Sequence, residues 1–310
     1  MLGRLFCNIL LGGLKELHLS TQNWCYVNNY AIDACTSAHN QVNTTDTTAL
    51  LSPTMGTPQE NDAFRASFER TYKYAMESPP LSSTVVWAYR LNALALVGLI
   101  WYSCAVVVGV SDGPPAAWTL WLSIAAVGGA VAVIALTYAV SSYYGHLPGF
   151  TEDDYRLSAA WDRPPATELA TIGLALSLDL LPLLELARPA PARLARVIIA
   201  CFTVHGIVTV AATPMSKMRG EHALSTLAFL LMLAAYQALV VATVPKAIAS
   251  KALRDAFCTL TYASFGAIFL VFYAFSFWVR FGELYWLSVA ELVALVVVFA
   301  GIVVGGVGTA

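Results

Sequence analysis

The chain has 310 residues, 58% hydrophobic and 12% charged, with a mean hydropathy of +0.66. Soluble domains carry roughly 25% charged residues, so this composition excludes an ordinary soluble protein and indicates a polytopic membrane protein. The formal net charge of -2 is uninformative, and with no basic cluster of the density that nucleic acid requires, no nucleic-acid partner is expected.

Residues 1–82 are rich in Asn, Thr, Ser and Asp and read as a polar, mobile tail. Asn43-Thr44-Thr45 is a glycosylation acceptor if this side is lumenal. Phe64, Phe68 and Tyr72 recur at helical spacing in a short amphipathic stretch that Pro79 and Pro80 end. The six cysteines include no C-x-x-C, so no structural zinc or thioredoxin-like site is expected. Cys104, Cys201 and Cys258 lie in apolar segments and read as small buried hydrophobes.

Seven apolar segments follow, each near the length that crosses about 30 Å of hydrocarbon. They are Val85–Val110, Ala117–Tyr143, Thr167–Ala187, Ala195–Ala212, Ala223–Val244, Ala256–Trp278 and Trp286–Gly306. The fold class is therefore an all-α transmembrane bundle. Arg90 and Asn92 shorten the apolar core of the first segment, and a turn at Ser111–Pro115 joins it to the second. Arg188, Arg193, Arg196, Lys246, Lys251 and Arg254 lie at one end of the spans. Arg156, Arg163, Lys217, Arg219 and Arg280 lie at the other. Six cations against five place the Tyr144–Pro165 loop outside or lumenal and the C-terminus in the cytosol. Trp118, Trp121, Tyr143, Tyr144, Trp161, Trp278, Tyr285 and Trp286 fall near span ends, as interfacial aromatics do. A receptor-type reading finds no Asp-Arg-Tyr after a third span and no Asn-Pro-x-x-Tyr in the seventh. The last span also has no Lys for a retinal Schiff base.

The longest polar interruption, Tyr144–Pro165, carries Glu152, Asp153, Asp154, Asp162, Arg156 and Arg163. Its backbone cannot be satisfied by lipid, so it lies outside the hydrocarbon or in a protein-lined cavity. It reads Tyr144-Gly145-His146-Leu147-Pro148-Gly149-Phe150, then Asp154, then Pro164-Pro165-Ala166-Thr167-Glu168 before an apolar helix. Glu221-His222-Ala223 opens a later span, and Ala290-Glu291-Leu292 puts an acid in the last one. In this order these features resemble the six-span family of the damage-regulated autophagy modulators (DRAM), the FGF-receptor-activating proteins and the post-GPI-attachment remodelling proteins. The resemblance covers about residues 117–310. Residues 84–111, the extra span, have no counterpart in that family, and Leu292 stands where it usually has tryptophan. The resemblance implies a non-catalytic scaffold or lipid-handling factor acting in autophagy, GPI-lipid remodelling or the anchoring of a lipid-kinase complex. It implies a location in the lysosome, Golgi, endoplasmic reticulum or plasma membrane. Its partners would be the bilayer and another membrane protein or a membrane-recruited complex, with no cofactor.

Ionisable groups inside spans are costly and are functional candidates by default. His146, Glu168, His222 and Glu291 all fall toward the loop end and define a candidate polar site. Read sharply, that site is a metal-assisted intramembrane lipid hydrolase with His146 and His222 as ligands. Read blandly, Glu168 and Glu221 stabilise helix N-termini. The chain has no H-x-x-x-H and no G-x-S-x-G, and no metal is assigned. Asp179 and His205 lie at similar depth on neighbouring spans and form a candidate intramembrane pair. Glu185 is expected to reach toward Arg188. A small-solute transporter or channel is the other alternative, with Pro182 and Gly206 as candidate helix breaks. Gly301 and Gly305 form a G-x-x-x-G, the spacing that lets helices approach closely.

Overall fold

The computed structural model describes residues 82–147, 157–214, 219–281 and 285–310. Asn43 and the stretch around Phe64–Tyr72 lie outside them. The described residues are helical, with no strand among them. The helices are α1 (Ser83–Val107), α2 (Thr119–Tyr143), α3 (Leu157–Ala160), α4 (Ala166–Leu178), α5 (Leu180–Ala187), α6 (Arg193–Ala212), α7 (Arg219–Thr243), α8 (Lys251–Phe281) and α9 (Tyr285–Thr309). Seven elements are long and apolar enough to span a bilayer; α4 and α5 together make the third. The chain is thus a multi-pass helical membrane protein.

The spans alternate in direction. The starts of α1, α4, α7 and α9 share one end, here the loop end. The links after α1, α5 and α7 share the other, here the arginine end. Local chemistry sets the boundaries. Ser82 Oγ accepts from the Val85 amide at 3.3 Å and caps α1. At its far end Gly109 takes φ 78°, a left-handed conformation that glycine adopts at little steric cost. The Tyr102 hydroxyl then donates to the Asp112 carbonyl at 2.8 Å and pins the turn. The third span breaks at Asp179, between α4 and α5. Pro182, which has no N–H to continue the ladder, lies one turn beyond.

Small residues bring the spans together, since lipid supplies no hydrophobic drive for helix association. A Cβ on Gly129 of α2 would lie 2.6 Å from Ser177 Oγ, and one on Gly206 of α6 would lie 3.2 Å from the Phe229 backbone. Gly128, by contrast, has nothing within 4 Å of its Cβ position and faces outward. The glycines of α9 face inward. Gly305 abuts Phe257 and Arg188, Gly301 faces Leu260, and Gly306 lies against Ser123. Thr119 Oγ1 donates to the Gly306 carbonyl at 3.2 Å and ties α2 to α9.

The extra span α1 docks on α4 and α6. It buries only Val85, Asn92, Leu96 and Ser103, a narrow stripe at alternating spacings of seven and four. Its other faces are exposed, including Trp87, Leu94 and Trp101. Arg90 lies 5.6 Å above the Trp87 ring, within cation–π range. Trp118, Trp121, Tyr143 and Tyr144 are exposed at span ends, as interfacial residues are. Trp161 is not: it is 3% exposed and belongs to the core. The side chains of Trp278, Tyr285 and Trp286 lie outside the described residues. Cys201 is buried, while Cys104 and Cys258 are half-buried.

Candidate functional site

At the loop end, α3 seats the returning loop in the bundle. Trp161 Nε1 donates to Thr137 Oγ1 on α2 at 3.1 Å, and Ser141 Oγ donates to the Ala160 carbonyl at 2.6 Å. Thr167 Oγ1 donates to the Trp161 carbonyl at 2.6 Å. Glu291 reaches from α9 and accepts from the Leu157 amide at 3.0 Å. A carboxylate on the first amide of a helix satisfies a donor that has no partner within that helix. The acid of the last span therefore holds the start of α3.

The other residues of the candidate polar site meet different groups. His222 Nδ1 lies 2.6 Å from the Thr213 carbonyl, so that nitrogen carries the proton and donates across the α6–α7 link. Glu168 sits in the first turn of α4, where a carboxylate is favoured by the helix dipole. His146 stacks on Tyr144, ring centroids 5.7 Å apart. Its Nδ1 is buried with no partner among the described residues. Among the described residues no three His, Cys, Asp or Glu side chains form a set able to hold a metal ion.

Deeper in the bundle, Asp179 and His205 are joined through a third residue. Asn92 Nδ2 donates to Asp179 Oδ1 at 2.8 Å, and His205 Nδ1 lies 3.1 Å from Asn92 Oδ1. His205 Nε2 lies 3.0 Å from the Tyr89 hydroxyl. One assignment satisfies every contact around a neutral ring: Tyr89 donates to Nε2, Nδ1–H donates to Asn92, and Asn92 donates to the carboxylate. Both bridging residues come from α1. α1 thus supplies two of the four residues, Tyr89 and Asn92, in this chain of hydrogen bonds.

The most enclosed polar cluster is at the arginine end. Glu185, Arg188, Arg196 and Tyr236 are each at most 1% exposed. Glu185 Oε1 pairs with Arg188 Nη1 and accepts from the Tyr236 hydroxyl at 2.7 Å. Glu185 Oε2 accepts from Arg196 Nε at 2.7 Å. Arg196 also donates to the carbonyls of Glu185 at 3.1 Å, Arg188 at 3.4 Å and Pro191. Arg188 Nη2 reaches the Ile302 carbonyl at 3.4 Å. The Arg196 guanidinium thus bonds the Glu185 carbonyl, left open in the last turn of α5, where positive charge is favoured. The expected approach of Glu185 to Arg188 is present, but as a buried cluster joining α5, α6, α7 and α9. Two of the six cations in the topology count, Arg188 and Arg196, are therefore internal. The remaining four against five give no orientation.

The larger of the two leading cavities, about 280 Å³, lies at the arginine end and is lined by Tyr102, Gly113, Pro114, Pro115, Trp118, Leu122 and Leu183. The other, about 10 Å³, adjoins Arg188, Tyr236 and Gln237. Neither is lined by Asp179 or His205. Periodicity and hydropathy missed Tyr89, Tyr236 and Thr137. The one available signal was a polar residue, Asn92, inside an apolar run. Comparison with protein-family models, curated proteins and solved structures gives no match for this chain.

Proposed function

We propose that this multi-span membrane protein is a non-catalytic scaffold or lipid-handling factor, of the kind represented by the autophagy modulators and GPI-lipid remodelling proteins. One observation carries the reading: the deepest ionisable side chains of the spans are bonded to other groups of the bundle, with Arg188 Nε the buried atom of these clusters that has no partner among the described residues. Glu185 satisfies two arginines and a tyrosine, Asp179 and His205 are bonded to Asn92, and Glu291 holds the loop helix. Such networks set bundle geometry, and among the described residues no three His, Cys, Asp or Glu side chains form a metal set. Disruption of the gene in the organism of origin tests the reading, with surface levels of GPI-anchored proteins and autophagic flux as readouts. A change in either supports it. No change in both, with lipid turnover by the purified protein, favours the enzyme.

A second reading, a small-solute transporter, draws on the break of the third span beside a mid-bundle carboxylate. Discontinuous helices at the midplane are how many transporters bind substrate. Uptake into proteoliposomes that Asp179→Asn abolishes would favour it.

A further inference from the structure

We propose that the arginine end of the bundle binds the headgroups of anionic phospholipids through Arg193, Lys246, Lys251 and Arg254. The proposal rests on the spans alone and not on the family reading. The topology brings all four cations to one end of the bundle: Arg193 opens α6, Lys246 follows α7, and Lys251 and Arg254 open α8. Lys246 and Lys251 are exposed, while Arg193 and Arg254 are half-buried. Among the described residues none of the four side chains has a hydrogen bond or ion pair. The exposed acids of the described residues at this end are Asp112 and Asp255, so cations exceed acids four to two. The buried cluster beneath adds two arginines against one glutamate.

The placement runs against the ordinary electrostatics of helices. Positive side chains in a first turn face the positive end of the helix dipole and are disfavoured. At the loop end acids are present, with Glu168 in the first turn of α4 and Glu221 beside Arg219 in that of α7. At the arginine end the first turns of α6 and α8 hold cations and no acid. An external anion relieves that repulsion. In a chain that spans the bilayer, the charge available at that level is a phospholipid headgroup, and polybasic segments beside spans attract anionic lipid in this way. The exposed Trp118 and Trp121 of the same end fit that interfacial level.

The full chain is reconstituted in nanodiscs of phosphatidylcholine mixed with phosphatidylserine, and the lipids retained on the protein are counted by native mass spectrometry. The wild type should hold phosphatidylserine in preference to phosphatidylcholine by at least about fivefold, the preference that a single cation near the surface contributes. The preference should collapse at high salt and in R193Q/K246Q/K251Q/R254Q. The double variant K246Q/K251Q changes only exposed side chains, so it reports even if the quadruple variant does not fold, and it should lose a large part of the preference. Equal retention of the two lipids by the wild type, or an unchanged preference in both variants, overturns the proposal. So does a thermal shift with inorganic phosphate in pure phosphatidylcholine discs without phosphatidylserine retention, which would assign the cations to a free anion.

Discussion

Glu185 Oε2 accepts from Arg196 Nε at 2.7 Å, with both side chains fully buried. The two residues are eleven positions apart and belong to different helices, α5 and α6. Arg188 and Tyr236 complete the carboxylate's partners. Taking ions out of water costs several kcal/mol each, and excellent hydrogen bonding is needed to offset it. Here the carboxylate is shared among three donors, and Arg196 has further acceptors in three carbonyls. The cluster works as a clamp across four spans.

The polar chain in mid-bundle gives a prediction about connectivity. Asp179 and His205 should be energetically coupled, by about 0.5–3 kcal/mol as for residues sharing a network, and the coupling should pass through Asn92. A double-mutant cycle of Asp179→Ala and His205→Ala, read by unfolding in detergent, should show the coupling in the wild-type background. It should vanish when Asn92 is alanine. Coupling that persists without Asn92 would mean that the two meet by another route.

The two glycines of the G-x-x-x-G should respond differently to one methyl group. A Cβ on Gly305 would fall 2.7 Å from Phe257 and 2.8 Å from Arg188 Nη2, whereas one on Gly301 meets only Leu260 Cβ at 3.7 Å. Gly305→Ala should therefore destabilise the protein by about 1–3 kcal/mol, as overpacking does. Gly301→Ala should be tolerated. Thermal unfolding of the two variants side by side decides; equal losses would contradict the packing described here.

Ala192 precedes α6 with φ 58° and ψ 33°. The left-handed region costs a residue with a Cβ about 1–2 kcal/mol. Ala192→Gly should raise the melting temperature and Ala192→Val should lower it. If glycine lowered it, the turn would not have this conformation.

At the loop end, Glu291 tethers the first amide of α3. Glu291→Ala should speed hydrogen exchange at Leu157 and leave the α7 core around Tyr236 unchanged. Uniform acceleration would indicate global destabilisation instead of a released loop.

The spans were legible because crossing a bilayer demands a long apolar run, and that demand is local in sequence. The buried clusters were legible only where partners are near in sequence. Glu185 and Arg188 are three apart on one helix face, so their approach could be foreseen. Arg196 counted as a topology signal, because nothing in a linear charge count distinguishes a loop cation from a clamp between helices. Asn92 looked like a flaw in a weak span; its partners lie 87 and 113 residues away. Trp161 read as an interfacial aromatic because it sits near a span end. Its partner Thr137 is 24 residues earlier, on another helix, and only the return of the loop makes it core. Histidines and acids that share one end of the spans suggested a site; among the described contacts Glu291 meets the Leu157 amide and His222 the Thr213 carbonyl, partners that no spacing in the sequence announces.

Charge inside this bundle serves to hold the helices together. The most direct test is the unfolding free energy of Glu185→Gln, Arg196→Gln and the double variant. Each single change should cost about 3–5 kcal/mol, because it strands a buried charge, and the double change should cost much less than their sum. Single variants as stable as the wild type, or losses that simply add, would contradict the clamp and reopen Glu185 as a group kept for chemistry.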